Sequence, residues 1–207
     1  MKKLLLLILM LNHLVACSQG KEHKTYYGNG QVKEQYYSDE NGEKVGEFKY
    51  YHDNGQVFVI GNFENDFENG EFKYYYEDGE LHMVGNFENG IQEGEWKKYY
   101  NNNNPMQVET YQNGLLTGEW KFYHENGQLS NIGKYENGLK TGEWKGYHQN
   151  GKLRSIGYFK NGEQTGEFKS YYENGQLWGI GKYENGEQIG EWKEYDEQGN
   201  LIETENH

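Results

Sequence analysis

The stretch GEWKFYHENGQLSNIGKYENGLKT, from Gly118 to Thr141, decides the fold because variants of it recur along most of the chain. Each copy opens with Gly-Glu-(Phe/Trp)-Lys, and each opening glycine stands 24 residues after the one before it. The opening glycines are Gly46, Gly70, Gly94, Gly118, Gly142, Gly166 and Gly190. A looser copy precedes them at residues 26–45, with one residue inserted near Ser38. So many starts in register predict a tandem repeat architecture.

Each copy, numbered from its opening glycine as position 0, is predicted to contain two strands and two turns. Positions 1–6 and 10–17 read as strands, and the first of them alternates with aromatic residues. Asn-Gly at positions 8 and 9 predicts a type I′ hairpin turn, which requires positive φ at both central residues. A second Asn-Gly at positions 19 and 20 turns the chain into the next copy. The fold class is therefore all-β, an elongated antiparallel meander or solenoid of 24-residue hairpins.

Pairing across the predicted hairpin places large rings opposite glycines. A two-residue loop makes paired position numbers sum to 17, so the Trp or Phe at position 2 faces the glycine at position 15. A ring across from a glycine helps to fix strand register. Positions 2, 4, 6, 11, 13 and 17 would form an aromatic face. The opposite face would carry Glu at position 1, Lys at position 3, Tyr at position 5 and Ile or Val at position 14.

The third copy departs from this pattern in two places. Residues 101–105 replace the Asn-Gly turn and include Pro105, and Glu109 stands where glycine is expected. Proline inside a sheet belongs at an edge or a bulge. Either a bend between two halves of the array or a looser turn is expected here.

The N-terminus has the features of a bacterial lipoprotein leader. Lys2 and Lys3 precede an apolar run at residues 4–11, which is too short to span a bilayer. The following Leu-Val-Ala-Cys resembles a lipobox, whose cysteine is acylated and becomes the first mature residue. The resemblance implies lipidation at Cys17 and, with Ser18 next to it, sorting to the outer membrane if the source is Gram-negative. An ordinary secretory leader with a chance cysteine is the alternative.

The repeat itself resembles a known family. Glu-Asn-Gly-x-x-x-Gly-Glu-Trp-Lys-x-Tyr, as at residues 136–147, resembles the bacterial type of MORN repeat and is most similar to YwqK-family antitoxins. The resemblance implies a twisted sheet of hairpins used for protein interaction or scaffolding, with no catalytic residue. We expect a signal peptide at residues 1–16, a polar tether at 17–24, the repeat array at 25–203 and a tail at 204–207.

Composition and motifs indicate a protein that is not an enzyme. The formal net charge of −13 disfavours nucleic acid as a partner. Histidines recur at position 6, but strand spacing would hold His124 and His148 roughly 9.6 Å apart, too far to share a zinc ion. Tyrosine also occupies that position, so an aromatic filler is the simpler interpretation. No cofactor and no metal are expected.

Two regions are candidates for partner binding. Positions 4 and 13 hold small residues in the copies that start at Gly142 and Gly166, which predicts a shallow groove on the aromatic face, or glycines that let the sheet coil. The groove residues are Trp120, Trp144, His148, Phe168 and Trp192. Near the start of the array, a possible apolar docking patch, or simply core, consists of Tyr50, Phe58, Val59, Tyr74 and Met83.

Three functions remain open from the sequence. The first is a lipid-anchored module at the cell envelope that binds an unidentified protein, such as an envelope protein or a toxin. The second is glycan or cell-wall binding by the aromatic repeats. The third is an antitoxin or immunity protein, which the family resemblance implies and which the lipobox-like leader disfavours.

Overall fold

A computed structural model describes residues 20–207 of the chain, so the leader and the predicted lipidation site at Cys17 lie outside the described residues. All regular structure in the described part is β-strand. The strands are β1 Lys21–Tyr26, β2 Val32–Ser38, β3 Lys44–Tyr51, β4 Val57–Glu64, β5 Phe67–Glu68, β6 Gly70–Tyr75, β7 Leu81–Glu88, β8 Ile91–Tyr99, β9 Pro105–Gln112, β10 Leu115–Tyr123, β11 Leu129–Glu136, β12 Leu139–Tyr147, β13 Leu153–Lys160, β14 Glu163–Tyr171, β15 Leu177–Glu184, β16 Glu187–Tyr195 and β17 Leu201–Asn206.

The strands form one antiparallel sheet in which sequence neighbours pair, with β5 and β6 both paired to β4. This confirms the predicted meander of hairpins. The predicted register also holds through most of each hairpin. Trp120 lies opposite Gly133 and Gly118 lies opposite Tyr135, so these pairs follow the expected sum of 17.

The predicted assignment of the first turn is wrong. The N–H of Gly127 donates to the carbonyl of His124, and the N–H of His124 donates to the carbonyl of Gln128, which encloses a three-residue loop. Only the glycine of this Asn-Gly pair has positive φ, at 83°. The type I′ geometry belongs to the second Asn-Gly, where Asn137 and Gly138 have φ of 51° and 80°. A three-residue loop with a left-handed third residue is the next commonest hairpin connection.

The extra loop residue moves one strand position out of the ladder. In the hairpin of β10 and β11, Tyr123 pairs with Leu129 and Phe122 pairs with Asn131, so Ser130 at position 12 is a bulge. The predicted placement of position 11 on the aromatic face is therefore wrong. Because paired side chains share a face, Leu129 lies with Tyr123 on the opposite face.

The opening glycines are required by a second irregularity. Ile132 pairs with Lys145 and Lys134 pairs with Thr141, so three residues that begin with Gly142 stand against one residue. Gly142 has φ of 67°, and the other opening glycines lie between 65° and 83°. Left-handed backbone of this kind favours glycine.

This bulge carries the position-2 ring over the glycine of the preceding copy wherever that copy has glycine at position 15. A Cβ added at Gly133 would clash with the indole of Trp144, and one added at Gly85 would clash with the indole of Trp96. Backbone pairing sets Trp144 opposite Gly157, whose added Cβ would approach Phe168 of the following copy instead. Each ring therefore seals the junction between two copies.

The core is a single row of rings rather than a thick interior. Rings at positions 2 and 17 alternate edge to face, as in Phe72–Phe87 at 5.1 Å and Phe87–Trp96 at 5.0 Å between centroids. The large residues Phe72 and Trp96 are almost fully buried, at 2% and 1% exposure. Edge-to-face aromatic pairs add about 0.5–1.5 kcal/mol each beyond burial.

The opposite face carries repeated ion pairs along single strands. Glu at position 1 pairs with Lys at position 3 in each complete opening segment, as in Lys49–Glu47 at 2.6 Å and Lys73–Glu71 at 2.7 Å. The hydrogen bond that each lysine donates to its glutamate is the first cause that raises the pKa of Lys49 and of Lys73. These pairs are solvent-exposed, so each contributes little to stability.

The third copy keeps its turn and changes its core. Asn103 takes the place of the turn glycine with φ of 64°, and the loop has the same hydrogen bonds as its neighbours. The expected looser turn is therefore wrong. Glu109 is only 4% exposed and lies 3.4 Å from the Lys98 ammonium. Trp120 has no glycine to cover here and stacks on Phe122 at 6.0 Å.

Candidate functional site

One edge of the array is formed by the three-residue loops, and position 6 ties these loops together. The Nε2 of His148 lies 2.8 Å from the carbonyl of Tyr171, and the hydroxyl of Tyr172 donates to the carbonyl of Tyr195 at 2.9 Å. His52 and Tyr76 make the equivalent contacts. Histidine and tyrosine interchange at position 6 because both can donate to the position-5 carbonyl of the next copy.

Asparagine at position 8 provides a second ladder along the same edge. The Asn150 side-chain amide donates to the carbonyl of Glu173 in the next copy at 3.1 Å, while its Oδ1 accepts from the N–H of Lys152 at 3.0 Å. Asn126 and Asn174 repeat both contacts. Each loop is therefore fixed internally and bonded to its neighbour, which gives this edge a regular surface.

The bulged position 12 lies beside position 6 and differs in every copy. Its side chains pack at a tilt against the position-6 rings where both are aromatic, as in His52–Phe58 at 4.9 Å and Tyr172–Trp178 at 6.1 Å between centroids. The occupants of position 12 are Phe58, His82, Met106, Ser130, Arg154, Trp178 and Ile202. A regular scaffold thus displays a variable side chain once per copy.

A groove of about 710 Å³ opens on this edge between the copies that start at Gly142 and Gly166. The hollow arises because Gly146 pairs with Ser155 and Ser170 pairs with Gly179, so positions 4 and 13 lack large side chains. The lining residues are His148, Arg154, Ser155, Phe168, Ser170, Tyr171, Tyr172, Glu173, Asn174, Trp178 and Glu197. The position predicted from the small residues is where the groove lies.

Only two of the five predicted groove residues line it. Phe168 contributes to the groove, and His148 lies at the groove with its Nε2 engaged by Tyr171. Trp144 and Trp192 instead pack over Gly133 and Gly181 between copies, with their indole N–H groups buried and without a partner in the described structure. Trp120 lies outside the groove, stacked on Phe122.

A smaller groove of about 460 Å³ lies at the equivalent place in the copies that start at Gly46 and Gly70. Of the N-terminal candidates, Phe58 lines it, while Tyr50 and Tyr74 contact the Phe58 ring at 6.2 and 6.4 Å. Met83 pairs with Tyr74 across the hairpin. The lining residues are His52, Phe58, Tyr75, Tyr76, Glu77, Asp78, His82 and Asn101.

The residues that sequence reasoning missed are those at the bulge. Trp178 is 47% exposed and forms a wall of the larger groove, and Arg154 lines it from the preceding copy. Both occupy position 12. Variability alone does not single out this position, because position 13 also differs in every copy, and a two-residue first turn hides the bulge that exposes Trp178.

The described residues offer little for metal chemistry. Among residues 20–207, no group of three or more His, Cys, Asp or Glu side chains is arranged to hold a metal ion.

Burial lowers the pKa of His82, and the nearby Lys98 lowers it further. A search of the same residues for helices long and apolar enough to cross a membrane gives none.

Hairpins that bond only to their neighbours through repeated ladders define a tandem-repeat protein of the antiparallel β type. The chain belongs to the MORN repeat family. The family profile, described as MORN repeat variant, matches residues 19–42, 44–65, 68–89, 92–113, 116–137, 140–161, 164–185 and 188–207. These matches cover nearly the whole described chain. No curated protein matches the chain.

Some solved structures are similar over part of their length. A crystal structure of TcdB2-TccC3-Cdc42 is 12% identical, and the match covers 87% of this chain and 12% of that one with a TM-score of 0.24. A GtfA/B complex bound to UDP and GlcNAc is 12% identical, with coverage of 71% and 29% and a TM-score of 0.19. The present chain spans less than a third of either.

Proposed function

We propose that the chain is a non-enzymatic, lipid-anchored repeat module that holds a protein-binding edge at the bacterial cell envelope. Membership of the MORN repeat family supports an interaction role. The leader and its lipobox-like Cys17 support anchoring through acyl chains, which retain a protein at a membrane surface.

The observation that carries the proposal is the pair of ladders along the loop edge. Position-6 side chains bond successive loops, as in Tyr76 to Tyr99 at 2.7 Å. Asparagine at position 8 adds a second bond, as in Asn126 to Gln149 at 3.1 Å, except in the copy starting at Gly70, which has Asp78 there. Position 12 varies freely on top of this fixed edge. Its side chains are exposed in the copies with Arg154, Trp178 and Ile202. A rigid support for such side chains suits recognition, because little conformational entropy is lost when a partner binds.

Crosslinking in intact cells followed by mass spectrometry tests the proposal. The anchored wild-type chain should crosslink to one or a few envelope proteins, and the Cys17→Ala chain should lose those crosslinks while remaining folded by circular dichroism. The mass of the purified N-terminal peptide should show acyl groups on Cys17. An unmodified N-terminus, or identical crosslinks for both chains, would contradict the anchored module.

Glycan or cell-wall binding is the second candidate, and the exposed indole of Trp178 beside Arg154 and Glu197 favours it. Sugar rings stack on such indoles and use polar neighbours for hydrogen bonds. A pull-down on isolated peptidoglycan separates the two functions, because a protein-binding module should stay in the supernatant. The antitoxin function would gain support if cell fractionation found an uncleaved cytoplasmic chain.

A further inference from the structure

We propose that the groove beside Trp178 receives an arginine side chain of a partner protein, with the guanidinium on the indole face and the carboxylates of Glu173 and Glu197 as its acceptors. This inference rests on the proposed protein-binding function and names the chemistry that the partner must present.

The first support is an aromatic wall that is open to solvent. Trp178 is 47% exposed although it stands beside a groove, and the Tyr172 ring holds it from behind at 6.1 Å with an interplanar angle of 46°. The Tyr172 hydroxyl is fixed by its bond to the Tyr195 carbonyl. The indole is therefore a preorganised flat surface. Tryptophan is the side chain on which cations bind best.

The second support is the charge at the rim. Glu173 and Glu197 both line the groove and occupy position 7 of successive copies, so the stacked loops bring them to the same end. Arg154 lines the groove too, but its guanidinium donates to Asn131 at 3.2 Å, in the preceding copy. Two carboxylates against one engaged cation leave the groove net negative, in a chain of net charge −13.

The third support is that the same chemistry recurs elsewhere in the array. The smaller groove combines the aromatic residues Phe58 and Tyr76 with the carboxylates Glu77 and Asp78. Of its two lining histidines, His82 has a pKa lowered by burial, and the Nε2 of His52 lies 3.0 Å from the Tyr75 carbonyl. Both grooves thus combine an aromatic wall with two carboxylates, of which Glu77 and Glu173 occupy the same repeat position, and this combination indicates a cationic ligand.

Arginine fits this groove better than lysine or a sugar. A guanidinium is planar, stacks on aromatic faces and presents forked donors that match two carboxylates. An ammonium is a strongly hydrated point charge and loses more hydration when it approaches an indole. A neutral sugar can donate hydroxyl hydrogen bonds to the acids but does not neutralise their charge, whereas a guanidinium does both.

Titration of the isotope-labelled Cys17→Ala chain with N-acetyl-arginine amide tests the site, with the tryptophan indole N–H resonances as the readout. N-acetyl-citrulline amide is the matched control because it has nearly the same shape without the charge. We expect arginine to shift the Trp178 resonance with a Kd in about the millimolar range, as for one shallow contact. Citrulline should bind at least about fivefold more weakly, which corresponds to loss of the cation–π contact.

Variants locate the binding. Trp178→Leu, followed through the backbone amide resonances of the groove residues because its indole signal is lost, should weaken arginine binding by roughly 5–30-fold. The double variant Glu173→Gln with Glu197→Gln should weaken it and remove most of its salt dependence. Tyr158→Leu, which changes an exposed aromatic residue outside the groove, should leave it unchanged. Circular dichroism verifies that each variant is folded.

Several outcomes would overturn the proposal. Equal binding of arginine and citrulline would show that charge is not recognised, and absence of any shift at the Trp178 resonance would remove the site. Binding of chitotriose in place of arginine would assign the groove to a saccharide. These results leave lipid anchoring and envelope crosslinking untouched, and failure of anchoring in cells would leave this titration unaffected.

Discussion

The seal between neighbouring copies can be tested by adding one methyl group under a ring. Gly133→Ala places a Cβ where the Trp144 indole lies, so the indole must move away from its position over Gly133. Gly157→Ala is the matched control at the same repeat position, because its Cβ would stand 3.1 Å from the edge of Phe168 and 3.2 Å from the Gln164 side-chain nitrogen. Those side chains need to move only a few tenths of an ångström.

The expected costs follow from packing and from the unfolded state. Overpacking of a well-filled contact costs about 1–3 kcal/mol, while Gly→Ala stabilises by about 0.4–1 kcal/mol through a less flexible unfolded chain. For Gly133→Ala the packing cost dominates. Displacement of Trp144 also breaks the cation–π contact with the Lys140 ammonium, which lies 4.4 Å from the ring centroid. A net loss of about 1–2 kcal/mol is expected there. At Gly157 the two effects should nearly cancel.

Urea unfolding followed by far-UV circular dichroism measures these differences. The free energy of unfolding should fall for Gly133→Ala and stay within about 0.5 kcal/mol for Gly157→Ala. In a Trp144→Ala background, Gly133→Ala should cost almost nothing, which gives a coupling of about 1 kcal/mol or more. Equal costs at the two glycines, or a cost that persists without the indole, would refute the seal.

Three further changes probe the ladders, the buried carboxylate and the bulge. Tyr172→Phe leaves the Tyr195 carbonyl without its donor and should cost about 1 kcal/mol in urea unfolding, whereas His124→Tyr keeps a donor and should be nearly neutral. Burial, together with the Glu109 charge, raises the pKa of Tyr111 to about 12, so the native state keeps a proton that the unfolded chain loses near pH 10. Stability should therefore fall as pH rises from about 10 to 12, and Tyr111→Phe should flatten that slope in urea midpoints measured across the range. Gly142→Ala forces alanine to φ of 67° and should lower the unfolding free energy by about 1 kcal/mol, with a smaller loss for Gly142→Asn.

The predicted hairpin register holds although the turn it was derived from is wrong. A two-residue loop predicts Trp120 opposite Gly133, and the structure keeps that pair because the bulge at Ser130 offsets the extra residue of the three-residue loop. The turn type could not be assigned correctly because both turns contain Asn-Gly. Backbone hydrogen bonds around Gly127 distinguish a three-residue loop from the two-residue turn at Asn137-Gly138, and composition does not.

The groove was partly predictable for a related reason. Small residues such as Gly146 and Ser170 predict where space opens, whichever turn is assumed. The wall formed by Trp178 could not be foreseen, because its exposure depends on a bulge that exists only with the longer loop. The prediction that Trp144 lines the groove is wrong because position numbers that sum to 17 take no account of the bulge at Gly142. That bulge carries the Trp144 ring over Gly133 of the preceding copy.

Along the loop edge each copy bonds only to its neighbours, so individual 24-residue units can be added or removed without disturbing the others. Loss or gain of one 24-residue unit would leave every remaining ladder contact with a valid partner, since each acceptor is a backbone carbonyl at a fixed repeat position. The two aromatic–acidic grooves stand four units apart, which corresponds to roughly 38 Å at the usual strand spacing. Their separation can therefore be reset in steps of roughly 10 Å by unit duplication or deletion, without redesign of either groove.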